Sequence, residues 1–161
     1  MSGDPFTHLP VFEGFNEQQL MLLRPLVSPV DAYSGDVLFE QGETAGYLYL
    51  VVSGEVTIRY KPEDGPALTV TRVRPGGVVG WSAALGSRCY TSGAVCEVYS
   101  QLLRVSGPDL RDLCIEHPET GALLLERLAS IIAARLRHTH EQVMSLLKQG
   151  LRSNFSKIEE T

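Results

Sequence analysis

Positive charge is scarce in this 161-residue sequence: 14 Lys and Arg stand against 19 Asp and Glu, giving a net charge of −5 and a pI near 5.3. That balance leaves no broad basic footprint to neutralise a phosphate backbone, so nucleic acid is not the expected partner. Long apolar runs are missing as well. No window approaches 18 consecutive apolar residues, and the first ten residues, MSGDPFTHLP, have neither a basic n-region nor an apolar h-region. A cytoplasmic, unanchored protein that does not bind membranes is expected.

Cysteine and histidine are equally sparse. Cys89, Cys96 and Cys114 show no CxxC or other metal-ligand spacing and read as reduced thiols. His8, His117, His138 and His140 all fall outside the segments that read as strands. His138 and His140 are two apart on a helical pattern, about 200° around its axis, and do not share a metal. No G-x-S-x-G elbow, Walker lysine or H-E-x-x-H motif is present. No catalytic residue, no metal site and no resident cofactor are therefore expected, and the chain does not read as an enzyme.

What remains is an ordinary globular composition, 43% hydrophobic and 20% charged, in a length suited to one domain. Asn16 and Gln19 have capping-box spacing, and Leu20, Leu22, Leu23 and Leu26 supply an apolar stripe. Residues 16–24 therefore read as a short helix ended near Pro25.

From residue 30 to 106 the pattern changes to short β-rich runs: Val37–Phe39, Tyr47–Val52, Glu55–Tyr60, Leu68–Val73, Thr91–Glu97 and Gln101–Val105. Their breaks carry glycine, as in Ser34-Gly35-Asp36 and Ser53-Gly54-Glu55. Short half-buried strands at this spacing must find a facing sheet, so an antiparallel sandwich, barrel or jelly roll follows.

Residues 107–150 are helical in pattern. Pro108 opens one helix running to about Glu116, and Pro118 opens a second reaching about Gln149. In the second, Leu124, Leu128, Ile131, Ile132, Leu136, Val143 and Leu147 recur at three- and four-residue spacing. A helix of roughly 45–50 Å exceeds what one small roll can cover, so its distal half is expected to meet another chain. Gly150 reads as its stop and residues 151–161 as a polar tail.

One stretch is more specific. Pro75-Gly76-Gly77-Val78-Val79-Gly80-Trp81-Ser82-Ala83-Ala84-Leu85 resembles the phosphate-binding cassette of cyclic-nucleotide-binding domains, where a glycine-led turn enters a short helix. Gly35-Asp36-Val37-Leu38-Phe39-Glu40-Gln41-Gly42-Glu43 resembles that family's opening strand pair. Leu48-Tyr49-Leu50-Val51-Val52-Ser53-Gly54-Glu55-Val56 resembles its third strand, tight turn and fourth strand. The resemblance covers about residues 9–147 and is to domains of the bacterial catabolite-activator type. It implies a mainly β fold with flanking helices: an eight-stranded antiparallel β-roll, or jelly roll, with a long C-terminal dimerisation helix.

The resemblance also implies a site, with two departures. The family's Glu after Gly80 is replaced by Trp81, and Thr91 stands where its phosphate-pairing Arg is expected. Trp81 offers one indole N–H and no acceptor, so the usual grip on a ribose hydroxyl should be lost. Hydrogen bonds to charged groups are worth roughly 1.5–3 kcal/mol each, so losing the Arg should lower affinity by an order of magnitude or two.

By position, the ligand-binding candidates are Gly80, Trp81, Ser82, Ala83, Arg88, Tyr90, Thr91, Ser92 and, on the long helix, Thr139 beside His140. Most have a plainer alternative, which for Thr139 and His140 is the solvated face of a helix. Trp81 either stacks on a ligand or plugs an empty site. Arg88 either swings toward the phosphate position or is a solvated loop residue, and Tyr90, Thr91 and Ser92 either line a pocket or are ordinary strand composition.

Two functions follow. The first is a small-molecule sensor, for a cyclic nucleotide or a related ligand, that forms a homodimer and signals to a partner protein through the long helix. The second is a dimeric interaction scaffold with a closed pocket. The family's DNA-binding members append a helix-turn-helix after the long helix, and only a short tail follows Gln149 here, so DNA is not an expected partner.

Overall fold

The computed structural model describes the backbone of residues 4–81, 86 and 88–159, and their side chains except those of residues 5, 138, 139, 142, 143, 146 and 151–159. A one-turn helix, α1 (Pro5–His8), and a 3-10 turn at Pro10–Phe12 lead to α2 (Glu17–Leu23). The capping box forms as expected: Asn16 Oδ1 accepts from the Gln19 N–H at 2.8 Å, and Gln19 Oε1 accepts from the Asn16 N–H at 3.0 Å. Pro25 ends α2 but is itself taken up in a 3-10 turn, Arg24–Leu26.

Eight strands follow: β1 (Val27–Ala32), β2 (Asp36–Phe39), β3 (Tyr47–Ser53), β4 (Val56–Tyr60), β5 (Leu68–Val73), β6 (Val78–Val79), β7 (Gly93–Cys96) and β8 (Ser100–Ser106). They form two antiparallel four-stranded sheets, ordered β1-β8-β3-β6 and β2-β7-β4-β5.

Two of these strands were not legible in the sequence pattern. β1 contains Pro29, which reads as a breaker; β1 is an edge strand, where proline's missing N–H costs no ladder bond. β6 has only two residues, too few for any period to show. The run expected from Thr91 begins as a strand only at Gly93, and Thr91 and Ser92 form a bend ahead of it.

The continuous apolar run of β3 has a direct explanation. Leu48 and Leu50 face a core shared with the helices, where they meet Leu23, Leu110, Leu113, Leu124 and Leu128. Tyr49 and Val51 face the opposite way, into the space between the sheets, with Phe39, Val56, Ile58 and Leu102. A strand buried on both faces cannot alternate apolar with polar. β6 divides the same way, Val78 to the helical side and Val79 to the intersheet side.

Ser106 caps α3 (Gly107–Glu116), its hydroxyl accepting from the Asp109 N–H at 3.1 Å. The last helix, α4, runs Pro118–Glu159, 42 residues and about 63 Å at 1.5 Å per residue. The expected stop at Gly150 and the polar tail after it are therefore corrected: the helix continues. Gly150 is not among the glycines with positive φ, so it does not adopt the left-handed conformation of a helix-ending glycine. Leu124 and Leu128 are buried against the roll, whereas Leu125, Leu136, Met144 and Leu147 are exposed. Among the described residues no helix is long and apolar enough to cross a membrane.

Candidate ligand-binding site

The site begins where β6 ends. Gly80 has φ +74°, a left-handed conformation that a side chain disfavours. A Cβ there would also lie 2.9 Å from the Tyr47 carbonyl oxygen and 3.2–3.3 Å from the Phe39 and Tyr90 rings. The glycine is thus required by the fold itself, because it lets the chain turn closely over β3.

Trp81 follows, half-buried and packed on the core that the helices share. The turn brings it over a cavity of about 180 Å³. Phe39, Ile58, Val79 and Tyr90 form apolar walls; Gly80, Trp81, Thr91 and Ser92 line the cassette side; Val70 and Thr71 come from β5; Arg135 and Leu136 come from α4.

Five of the residues singled out by sequence, Gly80, Trp81, Tyr90, Thr91 and Ser92, therefore meet around one cavity. Tyr90 presents ring and not hydroxyl. Its O–H donates to the Tyr47 carbonyl at 2.6 Å and accepts from the Tyr47 N–H at 3.0 Å, while its ring stacks on Phe39 with centroids 3.7 Å apart. Burial pushes its phenol pKa up, with the backbone bonds of Tyr47 and Gly46 opposing.

Arg88 is not brought to the cavity. It is exposed and its carbonyl accepts from the Ala45 N–H at 2.9 Å. Ser82 and Ala83 lie outside the described residues, as does the side chain of Thr139.

Arg135 was missed in the sequence. It is half-buried, lines the cavity, and its Nη1 donates to the Val78 carbonyl at 2.8 Å. Burial pushes its pKa down, yet a guanidinium keeps its charge in a protein. A signal was present: Arg135 is four residues, one helical turn, before Thr139 and shares its face. Among the described lining residues Arg135 is the one cation and there is no carboxylate, so the cavity offers one positive charge, three hydroxyls and aromatic walls. That set can hold a planar group with an anion attached. Among the described residues no group of three or more His, Cys, Asp or Glu could hold a metal ion.

A family model described as "Cyclic nucleotide-binding domain" matches residues 29–117, more than half of the chain. The chain belongs to the cyclic nucleotide-binding domain family. This cyclic nucleotide-binding domain is 26% identical over 137 residues to the "CRP-like cAMP-activated global transcriptional regulator" of Mycobacterium tuberculosis, a match covering 85% of this chain and 59% of the relative. The chain spans less than two thirds of that relative's length.

Among solved structures, the N-terminal domain of a transcriptional regulator from Streptomyces coelicolor A3(2) is 27% identical, with TM-score 0.66 over 86% of this chain and 96% of the other. A cyclic nucleotide-binding domain from Methylobacillus flagellatus has TM-score 0.76 over 83% of this chain and 75% of the other; at 21% identity it shows the fold alone. The family is regulatory and generally non-catalytic. The expectation that DNA is not a partner gains no support, because these relatives are described as transcriptional regulators.

Proposed function

We propose that this domain is a divergent sensor for a small anionic ligand, a cyclic nucleotide or a compact relative of one, and that Arg135 supplies the positive charge that the cassette has lost at Thr91. The observation that carries the reading is the convergence of Gly80, Trp81, Thr91, Ser92 and Arg135 on one cavity. Trp81 takes the planar part of the ligand on its ring. Thr71, Thr91 and Ser92 supply hydroxyls, and the ligand anion meets the Arg135 guanidinium in a charge-assisted contact.

The same residue gives the signal a route. Arg135 Nη1 fastens α4 to the Val78 carbonyl, two residues before Gly80. An anion that draws the guanidinium toward the cavity competes with that carbonyl, so occupancy biases the seating of α4 on the roll. A ligand shifts such an equilibrium only through a difference in affinity for the two seatings. The exposed Leu125, Leu136, Met144 and Leu147 on α4 fit a homodimer seam through which the shift reaches a partner protein.

Titration calorimetry of the purified domain with cyclic AMP, cyclic GMP and cyclic dinucleotides tests the reading. Saturable heat with any of them supports a sensor; silence across the set rejects it in favour of a second reading, a dimeric scaffold with a closed pocket. One observation favours that alternative: 180 Å³ is below the roughly 300–1,000 Å³ usual for small-molecule sites, so the cavity must open to admit a nucleotide.

A further inference from the structure

A larger cleft, about 730 Å³, lies between β5 and α4, and Pro75, Gly76, Gly77 and Val78 at the start of the cassette also line it. Its lining includes every residue from Thr69 to Arg74 in sequence, where a strand meeting a cleft with one face would contribute alternate residues. The cleft therefore runs along the edge of β5. That edge is unpaired: β5 is terminal in its sheet, and β4 is its one strand neighbour among the described residues. Ile131, Ile132 and Ala134 of α4 form the opposite, apolar wall.

We infer that this cleft is a docking site for an extended acidic peptide segment of a partner protein, which adds to β5 as a fifth strand. The occupant is set by two features. A row of outward N–H and C=O groups along a strand edge is matched by another extended backbone, about 3.3 Å per residue, so a segment of five or six residues fits the span.

The charge is set by Arg72, Arg74 and Arg135, three arginines on a protein of net charge −5. Arg72 and Arg74 share the Glu55 carboxylate at 3.5 and 3.8 Å, which offsets one of the three charges. An acidic segment finds complementary charge here, whereas a basic one meets repulsion. The plainer role of edge charges, keeping strands from aggregating, accounts for Arg72 and Arg74. It leaves Ile132 and Ala134 on the α4 wall opposite them unexplained, while Ile131 there also packs on the helical core.

The cleft shares Val70, Thr71 and Arg135 with the smaller cavity, so a docked strand and a cavity ligand contact common residues. Docking itself does not depend on any ligand being bound.

The test uses the full chain and a fluorescein-labelled octapeptide of alternating glutamate and valine. Two forms are N-methylated on alternate residues, odd or even, and a third has lysine for glutamate. Fluorescence anisotropy should show saturable binding of the parent. Binding should weaken at least tenfold for the lysine form and for one methylated form, the other being spared because its methyls face away from β5. Arg72→Glu with Arg74→Glu should weaken it at least tenfold, and amide cross-peaks of residues 69–74 should shift on binding. Equal affinity of both methylated forms, absence of binding, or shifts mapping elsewhere would overturn the inference. So would protection of residues 69–74 as protein concentration rises with no peptide present, which assigns the cleft to a second copy of the chain.

Discussion

Removing one oxygen from the cavity wall, by Tyr90→Phe, separates the structural role of that residue from any ligand contact. The ring would keep its place on Phe39, 3.7 Å between centroids at 14°, and lose two hydrogen bonds to the Tyr47 backbone. A neutral bond contributes about 0.5–1.5 kcal/mol net, and a peptide group left unsatisfied in a buried setting costs about 1–3 kcal/mol. Tyr47 is 39% exposed, so water reaches part of the orphaned backbone, and we expect a loss of about 1.5–2.5 kcal/mol.

For a chain of this size each kcal/mol moves the melting temperature about 2–4 °C, so thermal unfolding followed by circular dichroism should show a fall of about 4–8 °C at pH 7. Tyr99→Phe is the internal comparison. Its hydroxyl donates to Asp31 Oδ1 at 2.8 Å in an exposed setting, and its loss should leave the melting temperature essentially unchanged. Equal effects of the two substitutions would refute the reasoning, since burial is what distinguishes them.

Three further outcomes follow from the same geometry. Gly80→Ala combines a left-handed conformation with a Cβ 2.9 Å from the Tyr47 oxygen and should cost about 2–4 kcal/mol in a denaturant titration; Gly86→Ala, at φ +78° with no atom of the described residues within 4 Å of the added Cβ, should cost about 1–2 kcal/mol. Trp81→Glu with Thr91→Arg restores both charged anchors that the family resemblance implies, and should tighten cyclic AMP binding about 10- to 150-fold by calorimetry, the equivalent of about 1.5–3 kcal/mol. Burial raises the phenol pKa values of Tyr90 and Tyr49. Because the folded values lie above the unfolded ones, their contribution to stability is complete below about pH 10 and lost as pH rises through the folded values, and the decline should flatten in Tyr90→Phe.

The fold was legible wherever a residue's local role matched its global one. Asn16 and Gln19 announce a helix start because the cap is a contact within four residues, and the Leu48–Val51 run announces a strand because both its faces are buried. Pro29 hid β1 because edge strands tolerate what central strands do not, and Gly150 misled because glycine ends a helix only when it turns left-handed.

The cassette half of the site could be read because its residues are contiguous. Arg135 comes from α4, far from the cassette in sequence, and its one mark was the helical turn that separates it from Thr139; Thr71 lies just ahead of the cassette, but nothing local marks which residues of β5 will meet the cavity. Tyr90 shows the converse: its position was legible, but the partner of its hydroxyl, 43 residues away, was not.

Trp81 is the one tryptophan in the chain, so its indole N–H gives a single assignable signal in a proton–nitrogen correlation spectrum. Titrating cyclic AMP into the domain while following that signal and the Arg135 Nε–H is the most direct test of a ligand site shared by the cassette and α4. Both resonances should move together and saturate at one ligand concentration. A titration in which cyclic AMP shifts other residues and leaves these two unmoved would contradict it.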